Sequence, residues 1–532
     1  MPSISRGALL LAFLAGTPVP VAAQQRAHND STRLVVLVVV DQMRADYLSR
    51  FASQYTGGLG RLVHDGSVFL HGQQDHAITE TAPGHSTLLS GRTPSHTGIV
   101  TNARGVPDAT THLVGWPDVS GASPRNFKGT ELYDWMLAAD SNARVLGVSR
   151  KDRGAILPVG RAIAPVYWYH DGGFTTSSYY ADSLPAWVQR FNSQKILTRL
   201  AGTSWRLLLP DSAYSEPDSE PFENGEHDVT FPHKLPADTG RLADDLPEYP
   251  VMDSLTLAFA WDGVKALHLG SGPSTDLLTV SLSTTDAVGH AFGVDSREIH
   301  DQMLRVDRWL GRFLDSLATV VPRNRMILVL SADHGGTPMP EYAAKYRHQA
   351  GGRVWLGDLA RRVGGELGRR YHTDFNFHFE SGLLSADTDA LRARGIDVDS
   401  LADAMAAEAR NQRGVARVYT PATLRAAPAS ERDAWLWRRL IPKDFGWLIA
   451  ASPDEGWVWS TNHPVGEHGS TLSSDLTVPI VFLGAGIPAR HWADTVSTTD
   501  IAPTLAAMLG IKPTEPVDGQ VLKQVVPPPQ RK

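Results

Sequence analysis

Seven aliphatic residues in a row, LVVLVVV at positions 34–40, constrain this chain more than any other segment. A short apolar run without polar alternation suits a strand covered on both faces, the environment of a parallel sheet. The pattern returns in RVLGVS (144–149), DLLTVSLS (276–283), MILVLS (326–331) and VPIVFLG (478–484), so these too are expected to be parallel strands. Helical patterns lie between them. The longest runs from Ser296 to about Val320, with Ile299, Met303, Val306, Leu310, Phe313 and Leu317 on one face. Asp295 and Glu298 stand at its start with the spacing of a capping box. GTELYDWMLAAD (129–140) gathers Leu132, Trp135 and Met136 on a second helix. Strands alternating with such helices predict an α/β fold with a mostly parallel central sheet and helices on both faces.

Two stretches interrupt this rhythm and read as insertions, at about 194–250 and 338–460. The first is rich in Pro and acids, with seven acids and no Lys or Arg from Asp211 to Asp228, and is expected to be a solvated insertion or lid. The second mixes helical patterns such as DSLADAMAAEARNQRG with Trp-rich loops. Neither has an obvious linker, so residues 24–532 are expected to form one catalytic domain. A formal net charge of −7 and the lack of a Lys/Arg-rich run argue against nucleic-acid binding through a basic face.

The N-terminus, MPSISRGALLLAFLAGTPVPVAAQQ, carries one Arg, an apolar run from Ala8 to Gly16 and small residues at Val21 and Ala23. It predicts a signal peptide at residues 1–23, cut after Ala23. The apolar run is too short to span a bilayer. The sequence contains no cysteine, which excludes disulfides, thiolate metal sites and a lipid-modified cysteine anchor. The expectation is a periplasmic or secreted protein without a stable membrane anchor, whose metals would be held by His, carboxylate and hydroxyl groups.

Acids fall just past three of the strands. Asp41 follows LVVLVVV, Asp286 follows DLLTVSLS within TTDAVGH, and Asp333 follows MILVLSA and precedes His334. Open α/β sheets bind ligands at the carboxyl ends of their strands, so parallel strands would bring all three carboxylates to one rim. One such acid is usually a helix cap; three, two of them accompanied by histidine, fit a metal site better. Asp286 and His290 are four residues apart, one helical turn. His468 lies in GEHGST before VPIVFLG, with His463 as a competitor. Asp and His without thiolate suit two divalent ions, zinc foremost, a pairing used for in-line displacement at phosphorus.

These segments, taken in order, resemble the alkaline phosphatase superfamily: Asp41, the turn Thr81-Ala82-Pro83-Gly84-His85, Asp286 with His290, Asp333-His334 and His468-Gly469. The likeness spans most of the chain and is strongest to bacterial phosphate-irrepressible alkaline phosphatases with a threonine nucleophile. The resemblance implies that Thr81 attacks phosphorus, while Thr79, Ser86 and Thr87 keep capping or helical roles. It implies one metal on Asp286, His290 and His468, and a second on Asp41, Asp333, His334 and Thr81. Asn102 would donate to a phosphoryl oxygen, with Lys151 and Arg153 as the cationic pair of the monoesterase branch. The implied substrates are small phosphate monoesters.

A phosphodiesterase or nucleotide pyrophosphatase shares the Thr, the Asn and both ligand sets, and is the alternative. Lys151 and Arg153 favour the monoester, whose dianion offers more charge to a Lys/Arg pair. Sulfatases would need Cys or Ser where Thr81 stands. The phosphoglycerate mutases of this superfamily are cytosolic and use Ser. A non-catalytic phosphate- or partner-binding protein is a remote reading, because every matched position is chemically competent.

Overall fold

The strand β1 (Leu34–Val40) shows why its sequence lacks alternation. Leu34, Val36, Val38 and Val40 enter a core on one face of the sheet, and Val35, Leu37 and Val39 enter a second core on the other. All seven are buried. The structure is a computed structural model, and it describes residues 32–460 and 466–527. The expected signal peptide and His463 lie outside the described residues.

Eight further strands complete the central sheet: β2 (Ser67–Gln73), β3 (Val145–Ser149), β4 (Val166–His170), β5 (Gly173–Thr175), β6 (Asp276–Leu282), β7 (Met326–Ser331), β8 (Thr477–Gly484) and β9 (Arg490–Ser497). Their order is β9-β2-β8-β7-β1-β6-β3-β4-β5. β1 is central, parallel to β6 on one side and β7 on the other, with Val40 opposite Leu282 and Val39 opposite Ser331. β6, β3 and β4 continue in parallel. The expectation of a parallel strand at 478–484 is corrected: β8 runs antiparallel to both β7 and β2. The sheet is therefore mixed but mostly parallel. β8 is largely buried, as the parallel strands are, so its composition carries no mark of its direction.

Helices cover both faces. The helices α4 (Val251–Ala266), α5 (Thr284–Phe292) and α6 (Arg297–Ala318) pack on the even-numbered side chains of β1. The helices α1 (Thr81–Leu88), α2 (Leu132–Ala139), α3 (Asp152–Ile156) and α7 (Ile501–Leu509) pack on the odd-numbered ones. α2 starts at a capping box made by Glu131 and Asp134. The capping of α6 differs from the sequence expectation. Its N-cap is Ser296, whose side chain accepts from the Ile299 N–H, while Asp295 pairs with Arg50 and Arg347. A shorter hydroxyl side chain serves the cap, and the carboxylate goes to the guanidinium groups.

The acid-rich insertion is not simply solvated. Glu216, Glu220 and Glu223 are buried, and Trp205, Tyr214, Leu235 and Leu242 join the main core. Burial works against the Glu216 carboxylate, yet hydrogen bonding to His300 and Arg50 holds its pKa at about 2. The second insertion builds its own four-stranded sheet, ordered His378–Glu380, Leu383–Ser385, Trp447–Pro453 and Val415–Tyr419. Helix Val398–Ala409 packs on it around Leu384, Met405, Leu448 and Ile449. The aromatic segment at 167–180 belongs to core packing, with Phe174 stacked on Phe259 and Tyr167 edge-on to Trp187. Among the described residues, no helix is long and apolar enough to cross a membrane.

One glycine sets how closely α1 approaches the strand ends. A methyl group at Gly84 would collide with the backbone carbonyl of Asp333. Backbone cannot step aside as a flexible side chain can, so overpacking here should cost about 1–3 kcal/mol. Gly84→Ala is therefore expected to lower the thermal midpoint and displace Thr81. Differential scanning calorimetry, with Gly365→Ala as a control at an exposed helical position with room for a methyl group, measures the first effect.

Candidate active site

β7, β1 and β6 are adjacent and in register, so the chain leaves them side by side at one rim. Asp333, Asp41 and Asp286 follow their ends and are all buried. β3, next to β6, delivers Lys151 to the same rim. β8 runs the other way, so it is the residues preceding it that arrive here, and these carry His468. Thr81 is the first residue of α1.

Asp286, His290 and His468 form one cluster. Asp286 Oδ1 lies 3.4 Å from His290 Nε2 and 3.5 Å from His468 Nε2, and the two Nε2 atoms are 3.1 Å apart. Each ring is oriented from behind. His290 Nδ1 donates to the Gly466 carbonyl at 2.6 Å, and His468 Nδ1 donates to the Thr79 carbonyl at 2.7 Å. Fixing Nδ1–H in this way leaves Nε2 as the lone-pair donor, as metal-binding histidines require. Burial, then the neighbouring His334, lowers the His468 pKa and favours the neutral imidazole.

The second cluster gathers Asp41, Asp333, His334 and His85. His334 Nδ1 donates to the Gly335 carbonyl at 2.8 Å, and its Nε2 lies 3.4 Å from Asp333 Oδ2. Asp333 Oδ2 and His334 Nε2 are buried without hydrogen-bond partners among the described residues, while Asp41 Oδ2 is met by the Lys151 ammonium. Such orphaned acceptors are costly unless a cation meets them. The donor set therefore fits metal binding. His85 is equally near, 3.4 Å from Asp333 Oδ2 and 3.7 Å from Asp41 Oδ1. Its two ring nitrogens are already bonded to the Thr81 carbonyl and the Ser281 hydroxyl, so His85 suits orientation better than ligation.

Lys151 stands between the clusters. Its Nζ is 3.2 Å from Thr81 Oγ1, 2.7 Å from Asp286 Oδ2 and 3.0 Å from Asp41 Oδ2. Burial alone would raise the Asp286 pKa; Lys151 and His290 instead hold it well below the usual carboxylate range. The other hydroxyls of the Thr81 segment are committed elsewhere. Thr79 donates to the Ser470 carbonyl, Ser86 to that of Pro83 and Thr87 to that of Gly84. Asn102 Oδ1 accepts from the Ala82 N–H at 2.9 Å, which orients the amide beside Thr81. Arg153 makes no polar contact with this group: its guanidinium meets Asp152 at 3.6 Å, and its Nε is buried without a hydrogen bond.

The structure adds residues that the sequence reading did not single out. Gln42 donates from its backbone to Asp333 Oδ1 at 3.1 Å and from Nε2 to Asp286 Oδ1 at 3.2 Å, linking the two clusters. It does so at φ = 59°, a left-handed conformation that costs a non-glycine residue about 1 kcal/mol or more. Ser281 donates to Asp41 Oδ1 at 2.7 Å. Ser281 had a signal, a hydroxyl near the end of a buried and mainly aliphatic strand; Gln42 had none.

The chain resembles known proteins over most of its length. Residues 35–471 match the family model described as type I phosphodiesterase / nucleotide pyrophosphatase. The chain is 31% identical to alkaline phosphatase PhoV of Synechococcus elongatus, over 93% of both chains. It is 30% identical to alkaline phosphatase PafA of Elizabethkingia meningoseptica, over 95% of this chain and 96% of that one. The fold superposes on the crystal structure of wild-type PafA with a TM-score of 0.85, at 29% identity, covering 93% of this chain and 99% of that chain. The chain thus belongs to the type I phosphodiesterase/nucleotide pyrophosphatase family and is a hydrolase of its alkaline phosphatase branch.

Proposed function

We propose that this protein is an exported phosphate monoesterase that passes the phosphoryl group to Thr81 and then to water, at a site for two zinc ions. The observation that carries this reading is the hydroxyl of Thr81. It faces the carboxylate–histidine clusters and Lys151, whereas Thr79, Ser86 and Thr87 donate to backbone carbonyls. Asp286, His290 and His468 would hold one ion; Asp41, Asp333, His334 and Thr81 would hold the other. Ions bound there supply the positive charge that lowers the pKa of a coordinated hydroxyl and offsets charge on a leaving oxygen.

The chain's own groups account for the rest. Thr81 loses its proton and its Oγ1 forms a bond to phosphorus as the ester P–O bond breaks and the alcohol leaves. Water then attacks phosphorus, the Oγ1–P bond breaks, and phosphate departs with the Thr81 hydroxyl restored. Lys151 Nζ, 3.2 Å from Oγ1, is within reach of oxygens on a phosphoryl group carried there. Asn102, oriented by the Ala82 N–H, would offer its Nδ2 donors to the same group. The unpaired Nε of Arg153 leaves that side chain donors for a further oxygen. Residue types in PafA support this assignment: a crystallised variant replaces a Thr, an Asn, a Lys and an Arg. The Thr–Asn and Lys–Arg separations in that variant equal those between Thr81 and Asn102 and between Lys151 and Arg153 here.

The family model's description favours a second reading, a phosphodiesterase. The two readings differ in what Lys151 and Arg153 do. A monoester dianion can occupy both cations, while a diester has one charge fewer and an extra ester group in that space. PhoV and PafA, which match almost the whole chain, are alkaline phosphatases, which supports the monoester.

Metal analysis of the purified protein is expected to find about two equivalents of zinc, and chelation should abolish turnover, with recovery on re-addition. Activity that survives exhaustive chelation would contradict the site reading. Thr81→Ala should remove nearly all turnover while metal content and fold persist, and Thr81→Ser should retain a substantial part. Mass spectrometry of acid-quenched enzyme should find the phosphate on Thr81. Lys151→Ala/Arg153→Ala should slow an aryl phosphate monoester on the order of 10²–10³-fold or more, and a matched diester far less. Equal losses on both substrates, or a wild-type preference for the diester, would favour the phosphodiesterase.

A further inference from the structure

We infer that Glu380 and Ser381, at the tip of a hairpin in the second insertion, are positioning residues that hold Asn102 in its working orientation. The inference rests on the reading of Asn102 as a phosphoryl donor.

The hairpin is built for reach. Strands His378–Glu380 and Leu383–Ser385 pair antiparallel with Glu380 opposite Leu383, leaving Ser381-Gly382 as a two-residue turn. Both turn residues have positive φ, 47° and 89°, the geometry whose twist matches that of the flanking strands. Gly382 is required twice, because a side chain there would strike the Ala451 carbonyl. The tip is thus fixed on its own sheet before it meets the catalytic body.

It meets that body beside the nucleophile. The Ser381 hydroxyl donates to Oε1 of Glu80, the residue before Thr81, and Ser381 fills the space where Gly469, next to His468, lacks a side chain. Glu80 Oε2 accepts from the Asn102 N–H at 2.8 Å. Glu380 Oε1 accepts from the next amide, Ala103, at 3.3 Å, and its Oε2 is held by His378 at 2.9 Å. Two consecutive amides are therefore gripped by two carboxyl groups, one from the nucleophile segment and one from the insertion. The loop closes when the Asn102 side chain accepts from the Ala82 N–H.

That arrangement matters because Asn102 lies in a turn outside any helix or strand, with Ala103 and Arg104 exposed. A turn left to itself samples many conformations, and a donor misplaced by about 1 Å can cost on the order of 10²-fold in rate. Acceptors at both amides remove that freedom. By this reading the insertion is part of the frame of the active site as well as a cover over it.

A double-mutant cycle on the full-length, metal-loaded protein tests this. Glu380→Ala is expected to lower kcat for an aryl phosphate monoester about tenfold, with metal content and thermal midpoint near wild type. Glu380→Gln keeps an acceptor for the Ala103 N–H and should recover most of the rate. Ser381→Gly keeps the turn and removes the hydroxymethyl group with its hydrogen bond to Glu80, and should give a smaller loss of the same kind. In the Asn102→Ala background, Glu380→Ala and Ser381→Gly should each cost less than about twofold, because the group they orient is gone. Equal losses in both backgrounds would overturn the inference and leave a structural role alone. Should Glu380→Ala not fold, the Ser381→Gly arm of the cycle decides on the same criterion. If Asn102→Ala itself leaves the rate unchanged, the donor reading of Asn102 falls, and this inference falls with it.

Discussion

Three carboxylates at the ends of adjacent parallel strands, Asp41, Asp286 and Asp333, are almost wholly withdrawn from solvent, and that charge shapes everything around them. Burying an uncompensated carboxylate costs several kcal/mol, so each must meet positive charge or N–H donors. Lys151 meets two of them. Backbone N–H groups of Gln42 and His334 meet Asp333, and the Ser281 hydroxyl meets Asp41. Asp333 Oδ2, left without a hydrogen bond, faces His334 Nε2, which also lacks one, and that is the chemistry of a cation site.

The strand order supplies these groups in a way that local structure alone would not. Parallel strands present only the residues that follow them at this rim, and β1, β3, β6 and β7 each deliver such a residue. His468 precedes its strand, so only reversal of β8 can bring it to the same place. The segment 79–81 then joins the parts. The Thr79 carbonyl orients His468, Glu80 holds the Asn102 amide, and the Thr81 hydroxyl meets Lys151. Three successive residues thus answer to three different parts of the chain, which accounts for the complete burial of this turn.

The two insertions differ in how they are stabilised. The acid-rich one has no core of its own and docks on the main one, tying its carboxylates to Arg50, His300 and Lys345. The second has a sheet and apolar core of its own, shares a further apolar cluster with Ala77, Ile78 and Val100, and reaches Glu80 through the Ser381 turn. A self-supporting unit can hold a turn rigidly against a neighbour, whereas a docked loop borrows its order from the surface it covers.

What the sequence determined by itself was local. A doubly covered strand excludes polar residues from both faces, so LVVLVVV could be recognised without knowing its partners. Asp286 and His290 lie one turn apart on α5 because helical geometry gives four residues that spacing wherever the helix sits. The aspartates past the strands, the Thr81 turn and Lys151 were likewise legible as residue types in a fixed order. The tertiary structure alone decided the direction of β8, the tie made by Gln42, the burial of the acids in the first insertion and the arrival of Glu380 and Ser381 beside Glu80. It also decided that Lys151 contacts Thr81 and Asp286 while Arg153 contacts Asp152. These features depend on pairings between residues tens to hundreds of positions apart, and no periodicity within one segment records which distant segment will pack against it.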